Sequence, residues 1–365
     1  MTTKKRLWIG LIGLLICILG LLGTRNDASL YQQPIIQITQ VKTTDKTKSI
    51  DDYQNQDTDV TQQVTGTFLN TTAKGRSIQL QNRYTVSQAS SFRYYRGQQV
   101  YLHQDTTSHR YTLSEPKRDT VVVGVILGTL TLTLLLVVMF NRGLKTILSI
   151  GLNLLLFIGA IRLDVALGGR WLLPLMGGLA ILLTALTLVL ILGPNRQFLV
   201  SFLATISATF LALLISVVIL KITNDQGIHY ETMDYELQPY KTVFLAEVLL
   251  GILGAVMDET TDISSSLQQL VLEQPTVTPK QLFKSGLAIG REIIGPLVNV
   301  LFFIVMAEAF PIMLLYLRNG NTIAYTLSRT MTIGFTQTVI SAIGITLAVP
   351  VTSFLASRLV GVKTA

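Results

Sequence analysis

From Thr120 onward the chain is a succession of apolar runs of about 20 residues, with charge confined to the short breaks between them. Runs of that length without charge are what a helix needs to cross a bilayer, and few other folds tolerate them. Spans are expected at 120–140, 144–162, 171–192, 198–220, 242–262, 296–317 and 331–355. The N-terminal stretch "KKRLWIGLIGLLICILGLLG" adds one more, with a basic flank and an apolar run at the short limit for crossing. Because "LLGTRNDA" offers no cleavage site of small residues, this first segment reads as a retained anchor. Only 14% of residues are charged, against about 25% in an ordinary soluble domain.

The net charge of +8 does not imply nucleic acid, since no basic cluster marks a polar face. Excess Lys and Arg in a multispanning chain sits in cytoplasmic loops. Here it gathers before the first run, at 141–145, at 271–295 and after the last run. Eight crossings with the N-terminus inside place all of these on the cytoplasmic side and residues 24–119 outside. The single cysteine, Cys17, excludes a disulfide framework and a cysteine metal site.

Residues 24–119 lack any long apolar run. Alternating pieces at 35–41, 62–69, 76–81, 98–103 and 110–114, separated by "NTTAKG" and "YYRG", predict a small antiparallel sheet or barrel. The stretch 43–59, "TTDKTKSIDDYQNQDTD", is expected to be a mobile polar arm. The fold class that follows is a membrane all-α bundle of about eight transmembrane helices. A small β-rich extracytoplasmic domain lies between the first and second of them. The domains are then an anchor at 1–23, the β-rich domain at 24–119 and the multispanning part at 120–365.

The stretch "GAVMDETTDISSSLQQL", 254–270, concentrates the ionisable residues of the apolar part. On a helix at about 100° per residue, Glu247, Gly251, Gly254, Asp258, Thr261, Asp262 and Ser265 share one face. Asp258 and Asp262 are neighbours four residues apart, so each raises the energy of the other's charge unless a cation joins them. The partner stretch is "SGLAIGREIIGPLVNVLFF", 285–303, which supplies Arg291, Glu292 and Asn299. Pro296 suits the first turn of a new helix there. Two readings stay open for Asp258 and Asp262. They form a polar site between helices, facing the bundle interior near Arg291 and Asn299, or they mark a solvated helix end. Carboxylates in a last turn oppose the helix dipole, which favours the first. A break of the helix at "DETT", with Ser265 and Gln268 starting a second one, is a variant of it. His103, His109 and His229 lack metal-like spacing, and no nucleotide, hydrolase or metalloprotease motif appears.

These two stretches, together with "LAVPVTSFLA" at 347–356, resemble the YibE/F family of bacterial multispanning membrane proteins, over roughly 120–357. The outer segment, with "GTFLNTTAKGRSIQLQN" and "YYRGQQVYL", resembles that of the longer, YibE-type members. The resemblance carries over to Asp258, Arg291 and Asn299. Glu292 stands where members usually have Asp, Pro296 where they have Thr, Val300 follows the Asn in place of Thr, and Glu259 occupies a place usually small or apolar. The family implies no activity.

The expected function is a transporter or permease in the plasma membrane, passing an ion or small solute by Asp258, Asp262, Arg291, Asn299, Glu292 and Glu247. It requires no cofactor and no enzyme activity. The alternative is a non-transporting scaffold whose outer β domain binds a partner or envelope component. The expected partners are the lipid bilayer, a small solute or ion, and a membrane-protein partner or a second copy of the chain.

Overall fold

The structure is a computed structural model describing residues 3–50, 54–88, 91–105, 110–117, 121–233 and 239–360; His109 lies outside them. The chain divides into two compact units, residues 1–144 and 145–365.

The first unit opens with α1 (Thr3–Asn26) and continues into five strands: β1 (Ile35–Ile50), β2 (Gln56–Phe68), β3 (Ser77–Thr85), β4 (Gln99–Gln104) and β5 (Tyr111–Pro116). All pairs are antiparallel, in the order β3-β2-β1-β4-β5. Alternation along the strands turns Ile36, Ile38, Val64, Phe68, Val100 and Leu102 into one core, joined by Tyr94. Asn70 of the "NTT" sequence is buried and bridges the start of this sheet to the chain before it. Its Oδ1 accepts the Ile35 N–H at 2.8 Å, and its Nδ2 faces the carbonyls of Ala28, Tyr31 and Gln33 at 2.8–3.0 Å.

The stretch expected as a mobile arm is instead part of the sheet, with β3 running beside β2 as far as Asp59. β1 and β2 stay paired from Thr43 opposite Gln62 out to Ile50 opposite Gln56; residues 51–53 lie outside the described residues. On β1 both faces of this stretch are largely exposed, so no apolar alternation announces it, although Val60 and Gln62 of β2 are buried. Backbone pairing and its β-branched threonines carry it.

Past a π-helical stretch at Val121–Leu127 comes α2 (Gly128–Ala166), broken at Phe140, where φ is 28° and ψ is −93°. The chain turns sharply there. A Cβ on Gly143 would lie 2.6 Å from the carbonyl oxygen of Leu135, eight residues back, a closeness no straight helix allows. The two spans expected on either side of 141–143 are therefore joined by almost no loop. Only glycine fits at 143.

The second unit contains α3 (Leu172–Leu192), α4 (Arg196–Ile222), α5 (Tyr240–Glu273), α6 (Pro279–Arg318), the short α7 (Ile323–Thr330) and α8 (Thr332–Leu359). Among the described residues, seven helices are long and apolar enough to cross a membrane, the broken 123–166 stretch being one of them. α8 packs on α4, α5 and α6, while α3 packs on α4 and α5. Apolar clusters join Ala208, Ala212, Phe244, Val248, Ile252, Val256 and Ile340 on one side and Val200, Ile263, Leu267, Leu282 and Val349 on another. α6 and α8 approach through small residues: a Cβ on Gly290 would meet Val349 at 2.4 Å, and one on Gly286 would meet Ser353 at 2.4 Å.

Two boundary expectations are corrected. α6 does not begin at Pro296. It starts at Pro279, where Thr278 and Gln281 form a capping box, and runs 40 residues through Pro296 and Pro311. Apolar helices tolerate interior prolines when neighbours satisfy the freed backbone. Nor does α5 break at "DETT": it is continuous to Glu273, three turns past Asp262.

Candidate functional site

The continuity of α5 decides how its carboxylates lie. The helix has 34 residues, about 51 Å at 1.5 Å each. Asp258 and Asp262 are therefore well inside it rather than at its exit.

Glu247, Gly251, Gly254, Asp258, Asp262 and Ser265 occupy one face of α5, as the 100° spacing requires, and all six are exposed. The expectation that Asp258 and Asp262 face the bundle interior is thus overturned. The interior belongs to the opposite face, Val248, Ile252, Val256, Glu259, Thr260, Ile263 and Ser264, which packs on α4 and α8. The cause is shape. α8 and α4 close on the side where α5 carries branched apolar side chains, whereas nothing lies within 4 Å of the Cβ positions at Gly251 and Gly254.

Arg291, Glu292 and Asn299 on α6 are exposed as well. Asn299 turns back on its own helix, its Nδ2 donating to the Gly295 carbonyl at 2.9 Å. Among the described residues no ion pair joins Arg291 to Asp258 or Asp262. The set predicted from sequence is not one assembled cluster.

What the structure does assemble is a cavity of about 740 Å³ toward one end of α5–α8. It is lined by Glu247 of α5, Glu308 and Tyr316 of α6, Tyr325 and Arg329 of α7, and Glu231 from the loop before α5. Arg329 Nη1 donates to Glu231 at 2.6 Å. His229 meets Glu231 through Nδ1 at 2.8 Å and Ser328 through Nε2 at 2.9 Å. Bonds from its own backbone N–H and from the His229 ring, with Arg329 beside it, hold the Glu231 carboxyl below the usual range. The Tyr316 and Tyr325 rings stack at 6.1 Å on the wall, and the Arg329 guanidinium lies over Tyr325. With three carboxylates against one guanidinium, the lining favours a cationic guest. Among the described residues no group of three or more His, Cys, Asp and Glu is arranged to hold a metal ion.

A second polar feature escaped the sequence reading. Ser201, Thr205 and Thr209 recur every four residues along α4 and are fully buried. Ser201 Oγ pairs with Ser264 Oγ at 2.6 Å, and Thr205 Oγ1 with Thr260 Oγ1 at 2.7 Å, while the Thr209 hydroxyl has no partner. Beside Thr260 is Glu259, 1% exposed, with neither carboxylate oxygen hydrogen-bonded. The usable signal was the four-residue spacing of hydroxyls on α4, mirrored by Thr260 and Ser264.

A family model described as YibE/F-like protein matches residues 127–362, and one described as YibE/F family N-terminal domain matches residues 29–115. No curated protein and no solved structure matches the chain.

Proposed function

The chain belongs to the YibE/F family, and from that premise we propose that it is a multi-pass membrane permease passing an ion or small cationic solute along the exposed face of α5. The carrying observation is the cavity lined by Glu247 and Glu308. The face that Glu247 presents to it continues along α5 through Gly251 and Gly254 to Asp258 and Asp262, a run of about 22 Å at 1.5 Å per residue. On α6, Arg291 lies on the same side as the cavity residues Val305 and Ala309 by the 100° rule. Ionisable groups so placed in an apolar helix mark a pathway more often than they mark nothing.

Support for the bilayer comes from the side chains presented outward. Val138, Leu155, Phe303 and Phe310 are more than 60% exposed, a surface water would not tolerate at this extent. With the Phe140 break counted as a turn, the chain crosses eight times. The Lys and Arg bias then puts both termini in the cytoplasm and the sheet outside the plasma membrane. The cavity opens to that outer side, since Glu231 and α7 belong to outer loops. The protein acts without enzyme activity.

Flux of radiolabelled monovalent cations and small amines into proteoliposomes is the direct test. Uptake that Glu247→Gln and Glu308→Gln reduce at least tenfold is expected; equal uptake by the double variant and the parent protein rejects the path. The scaffold reading keeps one specific support, the outer half of β1, which is solvent-facing from Lys42 to Lys48. Replacing Lys42, Lys46 and Lys48 with Ala leaves flux unchanged on the permease reading.

A further inference from the structure

The permease reading uses Glu247, Asp258 and Asp262 and leaves Glu259 without a role, although it is the most deeply enclosed carboxyl on α5. It lies 1% exposed with both oxygens unpartnered. It is also central: 19 residues separate it from Tyr240 and 14 from Glu273 at the helix ends. On the same face, Ile252 and Val256 abut Gly344 of α8, and Ile263 joins Val349 in one apolar cluster. The hydroxyls nearest in sequence are spent elsewhere, Thr260 on Thr205, Thr261 on the Met257 carbonyl and Ser264 on Ser201.

No basic group answers this carboxyl. α3 has no titratable residue, α4 only Arg196 and Lys221 near its ends, and α8 only Arg358 in its last turn. On α6, Lys280, Lys284 and Arg318 are near the ends. Arg291 is level with the Gly290–Val349 contact, but its side chain is exposed and forms no ion pair with Glu259. Glu292, Glu308 and Tyr316 of α6 are no cations. On α5 itself the nearest titratable groups are Asp258 and Asp262, which are acids and offer no countercharge; Tyr240, Lys241, Glu247 and Glu273 are three or more turns away.

We infer that Glu259 is a proton-binding site, holding a proton as the neutral acid while enclosed and yielding it when α5 opens to water. A metal cation would need several oxygens around it, and this neighbourhood offers aliphatic carbons. A proton needs only the carboxyl. Proton binding stands whether or not the protein transports. On the permease reading it makes transport proton-coupled, with Glu259 one residue around the helix from the solute-facing Asp258.

Infrared spectra of the full-length protein in detergent at neutral pH test the site without any flux measurement. The parent protein is expected to show a protonated-carboxyl C=O band that Glu259→Gln lacks and Asp258→Asn keeps. Identical spectra of the parent and Glu259→Gln overturn the proposal. Should Glu259→Gln fail to fold, the parent protein answers alone by reaction with a hydrophobic carbodiimide. The acid O–H adds across the C=N bond and the adduct rearranges to an N-acylurea, with nothing lost. Mass spectrometry should place that adduct on Glu259, formed more slowly as pH rises. Adducts on Asp258 or Asp262 with none on Glu259 overturn the proposal equally. A null flux result together with a positive band rejects the permease and keeps the proton site.

Discussion

Thr205 Oγ1 and Thr260 Oγ1 lie 2.7 Å apart, both residues wholly enclosed between α4 and α5. One turn along, Ser201 and Ser264 repeat the relationship at 2.6 Å. Two hydroxyl pairs in an apolar seam fix the register of the two helices, because sliding one helix leaves each hydroxyl facing a methyl group. In apolar surroundings such pairs contribute about 0.6 kcal/mol on average and up to about 1.7.

Thr205→Val and Thr260→Val should each destabilise the protein in detergent by about 1 kcal/mol. The Val/Val double variant should lose less than the sum, since no orphan hydroxyl remains. Strict additivity in denaturant unfolding would show that the hydroxyls do not interact.

The close approach of α6 to α8 makes Gly290 intolerant of any side chain. Gly290→Ala sets a Cβ 2.4 Å from Val349 and should destabilise by about 1–3 kcal/mol, the usual penalty of overpacking. Val349→Ala in the same chain should restore part of the loss. Gly295→Ala, on the open face of the same helix, is the matched control and should leave the melting temperature unchanged.

Asn70 holds four backbone groups at once, and Asn70→Ala leaves the Ile35 N–H and three carbonyls to find other partners. At about 1 kcal/mol or more for each buried group left unpaired, a loss of about 2–4 kcal/mol from the sheet is expected. Proteolysis of the full chain should then cut within residues 29–115 before the helices. Thr72→Ala, which abolishes the same tripeptide sequence without touching these bonds, should resist as the parent does.

The β-sheet also carries a base-sensitive tyrosine. Burial, and secondarily the charge of Glu115, pushes Tyr94 up to about 12, and its hydroxyl donates to the Ser114 carbonyl at 2.5 Å. A group raised on folding binds its proton more tightly in the native state. Its contribution is therefore whole below the unfolded tyrosine value, about 10, and is lost as pH climbs toward 12. Thermal stability of the sheet should fall across that window, and Tyr94→Phe should flatten the fall. Tyr101, raised to about 12 mainly by burial, accounts for the slope that persists.

The sequence made legible whatever depended on periodicity with one clear sign. Each of the five strands overlaps an alternating piece, and the apolar helices fall where charge is absent. The outer length of β1 failed because both its faces meet solvent, so Lys46 and Lys48 read as disorder. The bounds of α5 and α6 failed because a helix that outruns the apolar run leaves no polarity signal at its true end; Thr278 with Gln281 was the sign available. At the site, period 3.6 correctly grouped Glu247, Asp258 and Asp262 but could not say whether that face turns inward. Its direction depends on which side α8 covers, a fact distributed over Gly344, Ile252 and Val256. Glu259 was passed over for the same reason, since on the helical wheel it belongs with the apolar residues.

Ordinarily an acid replaced by leucine in mid-helix is judged by its charge, and Asp258 and Glu259 would be judged alike. Enclosure separates them. Glu259 keeps two unpartnered oxygens among Ile252, Val256 and Ile263, an arrangement disfavoured by about 1–3 kcal/mol relative to an apolar side chain. Glu259→Leu should therefore raise stability by about that amount, less what the branched side chain loses in fitting the space. Asp258→Leu, on the exposed face, should move stability by no more than about 0.5 kcal/mol. Opposite ranking in detergent melts, with Glu259→Leu the more damaging, would mean that the carboxyl is held by a partner it needs for folding, and the proton-binding assignment would fall with it.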